Sequence, residues 1–69
     1  MSQQMRTDFG KRMAARRREQ RLTQVELAQS VGLTSKAICN IEHGRQWPSM
    51  PVYIGICLRL GFQRVPLIT

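Results

Sequence analysis

Sixty-nine residues, 42% hydrophobic and 22% charged, suit one small globular domain whose thin core leaves little room for an enclosed substrate pocket. Eleven Lys and Arg against four Asp and Glu give a net charge of +7, a balance suited to a polyanionic partner. Two cysteines, Cys39 and Cys57, and a single histidine are too few for a disulfide framework or a zinc site, which disfavours an enzyme and leaves no cofactor or metal to expect. The default setting for such cysteine usage is the reducing cytoplasm. No apolar run approaches the ~20 residues of a membrane span, and the opening Met-Ser-Gln-Gln lacks the apolar stretch of a signal peptide, so no membrane association is expected.

Residues 1–7 are polar and are expected to form a flexible lead-in. The first helix is predicted over about 8–20, with Phe9 and Met13 four apart on one face and Arg17 next on that stripe. Lys11, Arg12, Arg16, Arg18 and Arg21 surround it, and a basic run of this kind ordinarily reads as a solvated face. Thr23-Gln24-Val25-Glu26 predicts the start of a second helix through a capping box, in which the Thr and Glu side chains each satisfy an orphan backbone N–H. Leu27, Ala28 and Val31 face its core side, and Gly32 suits the left-handed residue that ends it. Thr34 caps a third helix over about 35–43, with Ile38 and Ile41 inward and Lys36, Cys39, Asn40 and His43 outward at 100° per residue. Ser49 caps a fourth over about 50–60, where Pro51 falls in the first turn and its missing N–H is harmless. Residues 62–69 are rich in β-formers and too short for another helix.

Two short helices joined by a three-residue turn, the second polar outward, define a helix-turn-helix arrangement spanning about residues 24–43. The strings Leu22-Thr23-Gln24-Val25-Glu26-Leu27-Ala28, Val31-Gly32-Leu33-Thr34, Ile38-Cys39-Asn40-Ile41-Glu42-His43-Gly44-Arg45 and Pro48-Ser49 together resemble the Cro/C1-type (XRE) helix-turn-helix family. The resemblance covers about residues 9–61. It implies an all-α, compact lambda-repressor-like domain of about four helices over 8–61, followed by a short extended C-terminal tail at 62–69. It also implies DNA contacts, position by position. Thr23, Gln24 and Arg45 match phosphate-contacting residues, while Ser35, Lys36 and Asn40 fall where side chains reach base edges, with Ala37 close enough for apolar contact. The chemistry agrees independently, because Lys can donate to guanine O6 and N7 and Asn can pair bidentately with adenine. Two departures stand out: Arg16 occupies a position that is usually aliphatic, and the chain lacks the length for a fifth helix found in many relatives.

A charge on an inner face needs a partner. Arg17 lies on the Phe9–Met13 stripe and Glu42 flanks the Ile38–Ile41 face, and the family resemblance implies that the two form an ion pair. The fourth helix is apolar nearly all round, so burial on its outer side by a second copy is expected. That interface is assigned to Tyr53, Ile56 and Leu60 with Phe62, Val65, Leu67 and Ile68 of the tail, which would serve as a dimerisation strand kept short by Pro66. Two-fold symmetry would set the recognition helices about 34 Å apart, one turn of DNA. The function expected is a sequence-specific double-stranded DNA-binding transcriptional regulator, a repressor acting as a homodimer on a palindromic operator. The alternatives are an antitoxin or controller with a second protein partner, and an interaction module (an antiactivator) on the same fold. The outward face of the third helix discriminates them, since an interaction module calls for apolar residues there. The remaining singular residues have plain readings: Cys39 is a small filler, Cys57 core, His43 solvated, and Trp47 packs over the loop before the fourth helix.

Overall fold

A computed structural model describes residues 2–62, which fold as four helices: α1 (Gln3–Glu19), α2 (Gln24–Val31), α3 (Ser35–Glu42) and α4 (Met50–Leu60). The first of these begins five residues earlier than residue 8. The Ser2 hydroxyl accepts the Met5 N–H at 3.1 Å as an N-cap, and Gln4 donates to Asp8 at 2.9 Å one turn on. Gln3 donates to the Gly44 carbonyl at 2.9 Å, which ties the first turn to the end of α3. Residues 3–7, expected as a flexible lead-in, are therefore helical; a polar segment without core residues still forms a helix when it is capped and tethered.

The capping box of α2 is complete, with Glu26 N–H donating to the Thr23 hydroxyl at 3.0 Å and Thr23 N–H to the Glu26 carboxylate at 2.8 Å. The bond from the Thr23 backbone holds the Glu26 carboxyl below the usual carboxylate range. Gly32, at φ 74°, ends α2 in the left-handed region, and the turn of residues 32–34 leads to Thr34, whose hydroxyl accepts the Ala37 N–H at 3.1 Å. The carbonyl end of α4 is closed from the end of α1: Arg16 Nε and, from the residue just past the helix, Gln20 Nε2 both donate to the Leu60 carbonyl, at 2.9 and 2.7 Å. Arg16 thus replaces the usual aliphatic with a charged cap on a helix C-terminus, where a cation is favoured.

Met13, Leu27, Ala28, Ile38, Ile41, Ile56 and Leu60 form the core, with Phe9, Leu22, Val31, Leu33, Val52 and Phe62 packed against it. Full burial of a large aliphatic is worth roughly 1.5–3 kcal/mol, so these few residues carry most of the tertiary stability. Beside them Phe9, Trp47 and Tyr53 form an aromatic cluster with ring centroids 5.0–5.5 Å apart, which covers the α3–α4 loop. Cys57 is core, and burial pushes its thiol up.

The expected dimer residues are redistributed by this packing. Tyr53, Ile56 and Leu60 are 5%, 0% and 0% exposed within the single chain, so its packing leaves them almost no surface to offer a second copy. The cause is that α1 and α2 both pack on α4 and the aromatic cluster closes over Tyr53, so more of the helix is covered than three short helices were expected to reach. What stays uncovered is the stripe of Met50 and Leu58, 52% and 70% exposed, with Ile54 half-buried between them. Phe62 is half-buried against the core, and the Arg12 guanidinium lies 5.7 Å from its ring centre. Val65, Leu67 and Ile68 lie outside the described residues.

Candidate nucleic-acid interface

The polar face of α3 is built by two devices. Thr34 starts the helix as an N-cap, and the end is closed by Gly44 at φ 75°, with Gly44 N–H on the Ile41 carbonyl at 3.1 Å and Arg45 N–H on the Asn40 carbonyl at 2.9 Å. This pair of bonds is a Schellman closure, and it requires a left-handed residue at position 44. It folds the chain back so that Arg45 comes beside Asn40, and Arg45 Nη1 lies 3.4 Å from Asn40 Oδ1. Sequence reasoning treated these two side chains as independent; the helix end brings them together.

Lys36 is exposed on this face, and Ser35, Ala37 and Asn40 are half-buried around it. Cys39 is also half-buried, with His43 Nδ1 2.8 Å from its carbonyl oxygen and 3.6 Å from its Sγ. A carbonyl only accepts, so Nδ1 carries the proton and Nε2 is the nitrogen left free. No described group of three or more His, Cys, Asp or Glu could hold a metal ion.

Behind the face stands a buried charge network. Arg17 Nε donates to Glu42 Oε2 at 2.7 Å, Nη2 to Oε1 at 3.2 Å, and Nη1 to the Leu22 carbonyl at 2.7 Å. Both side chains are almost fully buried, and the geometry is the two-pronged one that suits guanidinium and carboxylate. Gln24, from the start of α2, donates to the same Glu42 Oε1 at 3.0 Å. An ionised carboxylate can only accept, so the Gln24 amide is held with its nitrogen toward Glu42. Thr23 is exposed at the N-terminus of α2, its hydroxyl engaged by Glu26 N–H. Gln24 is thus half-buried and already partnered within the chain, with one amide N–H left to donate elsewhere. The sequence reading missed this link, because nothing in a string of letters sets the α2 N-terminus against the C-terminus of α3.

This arrangement of helix, tight turn and polar second helix agrees with what known families show. Residues 8–67 match the family described as the helix-turn-helix domain, and the chain belongs to that family, in its Cro/C1-like kind. No curated protein and no solved structure matches it. Among the described residues no helix is long and apolar enough to cross a membrane.

Proposed function

We propose that this protein is a sequence-specific double-stranded DNA-binding regulator that represses transcription as a homodimer on a palindromic operator. The observation that carries the reading is the outward face of α3, which offers Ser35 and Lys36 in its first turn and Asn40 one turn on, beside Arg45, on a strongly basic chain. A helix of this width enters the major groove, where Lys and Asn have distinct base-edge partners. Thr23, Gln24 and Arg45 flank it and serve phosphates, fixing register without reading sequence. An interaction module would present apolar side chains on that face; the exposed one at its centre is Lys36.

Two variants separate reading from gripping. Asn40→Ala is expected to cost about 1–3 kcal/mol on the operator and to relax specificity at one base pair per half-site. Arg45→Ala is expected to weaken all sequences alike and to flatten the dependence of affinity on salt. Selection of a preferred site from random duplexes, then footprinting of both variants, is the measurement. An Asn40→Ala protein with unchanged sequence preference removes α3 as the reader.

The second copy is placed on Met50, Ile54 and Leu58, the stripe that the chain leaves uncovered, together with the tail that follows Phe62. Apolar residues at i, i+4 and i+8 make a seam along one side of α4. Leu58→Arg is expected to shift the protein to monomer in sedimentation and to lower operator affinity at least tenfold, with its helical content kept. A wild-type protein that sediments as a monomer at micromolar concentration, with and without DNA, overturns this assignment.

A further inference from the structure

An open cleft of about 380 Å³ lies between α1 and the C-terminal end of α3, lined by Thr7, Lys11, Ala14, Arg18, Glu42 and His43. Its charge is one-sided. The side chains of Lys11 and Arg18 have neither an ion pair nor a hydrogen bond among the described residues, whereas Arg16 is paired with Glu19 and Arg17 with Glu42. The one acid in the cleft wall, Glu42, has a side chain only 2% exposed and already receives two bonds from Arg17 and one from Gln24. It therefore offers no free carboxylate to a ligand and no exposed negative charge to repel one. Like charges gathered in a concavity raise its potential and draw counter-ions.

The position of the cleft matters as much as its charge. Glu42 in its wall is the residue that holds Gln24, and Thr7 on its rim sits against Gly44, the residue before Arg45; a Cβ at Gly44 would lie 3.0 Å from the Thr7 hydroxyl. The cleft thus shares Glu42 with the Gln24 contact and Thr7 with the turn that precedes Arg45. Lys11 and Arg18 are seven residues apart, about 10 Å along the helix axis, far enough to engage separate phosphates.

We propose that this cleft is a second phosphate-binding site, in which Lys11 and Arg18 grip the DNA backbone alongside the strand held by Gln24 and Arg45; the Thr7 hydroxyl on its rim already donates to the Gln3 carbonyl at 2.9 Å and takes no part. The inference rests on the DNA-binding reading above and adds α1 to the surface that binds. It reverses the plain reading of Lys11 and Arg18 as a solvated face. The contact is to the backbone, so it adds affinity on every sequence and leaves base preference untouched.

Two measurements on the full chain test it. In the first, amide resonances are followed while a 16-base-pair duplex is added. Shifts at Thr7, Lys11, Arg18 and His43 together with Ser35, Lys36 and Asn40 are expected. Shifts confined to α3 and its flanks overturn the cleft and leave the DNA reading standing; shifts confined to the cleft sustain it and remove α3 as the reader; none at either removes both. Cleft shifts with polyglutamate but not with duplex overturn the proposal in favour of an acidic protein partner. In the second, Lys11→Gln/Arg18→Gln is compared with Arg12→Gln/Arg21→Gln, which removes the same charge elsewhere. The cleft variant is expected to bind any duplex at least tenfold more weakly and to show a log–log salt slope shallower by about 1.8, the value for two lost phosphate contacts. Equal slopes and affinities in the two double variants would mean that only net charge matters, which overturns the site.

Discussion

Replacing Gly10 with alanine is expected to destabilise the protein by about 3 kcal/mol, although alanine is the better helix former. Gly10 is buried in the middle of α1, where that helix crosses the end of α3. A Cβ there would collide with the Glu42 carbonyl oxygen and stand 2.6 Å from that of Ile41. Both obstacles are backbone atoms inside a helix, so no side-chain rotation relieves them. Either α1 moves off α3 or the last turn of α3 unwinds. Moving α1 also pulls Arg17 away from Glu42, which adds electrostatic loss to the steric cost. The gain in helix propensity, about 1 kcal/mol, offsets only part of this. In a domain of this size 3 kcal/mol corresponds to a fall in Tm of roughly 12–24 °C. Thermal and urea denaturation of the two proteins measure it. A Gly10→Ala protein as stable as the wild type, or more so, shows that the helices can separate cheaply.

The helices themselves were legible because each carries its own punctuation. Thr23 and Thr34 mark starts through side-chain caps, Ser49 marks one by position alone with no side-chain cap bond, Gly32, Gly44 and Gly61 mark ends, and all three glycines take positive φ. The start of α1 was not legible by the same means: its N-cap is Ser2 and its tether is Gln3 to Gly44, a contact across 41 residues that no local pattern encodes. Gly10 shows the same asymmetry. A glycine inside a helix signals that something comes close, and only the packing shows that it is the backbone of α3. The face of α3 could be read from 100° steps, but not the contact of Arg45 with Asn40 or of Gln24 with Glu42, which depend on how helix ends meet. The outer side of α4 was misjudged for a related reason. Apolar composition all round a helix says that it is covered, and only the positions of α1, α2 and the aromatic cluster say by what. Tyr53, Ile56 and Leu60 turned inward, and Met50 and Leu58 stayed out.

The ion pair of Arg17 and Glu42 leads to the other large effect. Arg17→Ala and Glu42→Ala are each expected to cost about 3–5 kcal/mol, because each leaves a charge buried without its counter-charge. The two losses should differ in size. The orphaned Arg17 still donates to the Leu22 carbonyl and has a long stem that lets its head reach water. The orphaned Glu42 is short, 2% exposed in its side chain, and left with only the neutral Gln24 amide as a side-chain donor. Arg17→Ala is therefore the more damaging substitution. Exchanging both partners for apolar residues of similar volume, Arg17→Met with Glu42→Leu, removes both charges and is expected to cost far less than the sum of the single losses. It does not return the protein to full stability, since the Leu22 carbonyl and the Gln24 amide lose partners, at about 1–2 kcal/mol together. Gln24 also loses the acceptor that sets its amide, so the apolar double variant should fold and yet bind duplex less well than the wild type. Urea denaturation of the four proteins closes the cycle, and anisotropy with a duplex reads the second effect. Single losses that simply add would mean that the two side chains do not depend on each other. A double variant with undiminished DNA affinity would mean that Glu42 holds the fold alone and does not position Gln24.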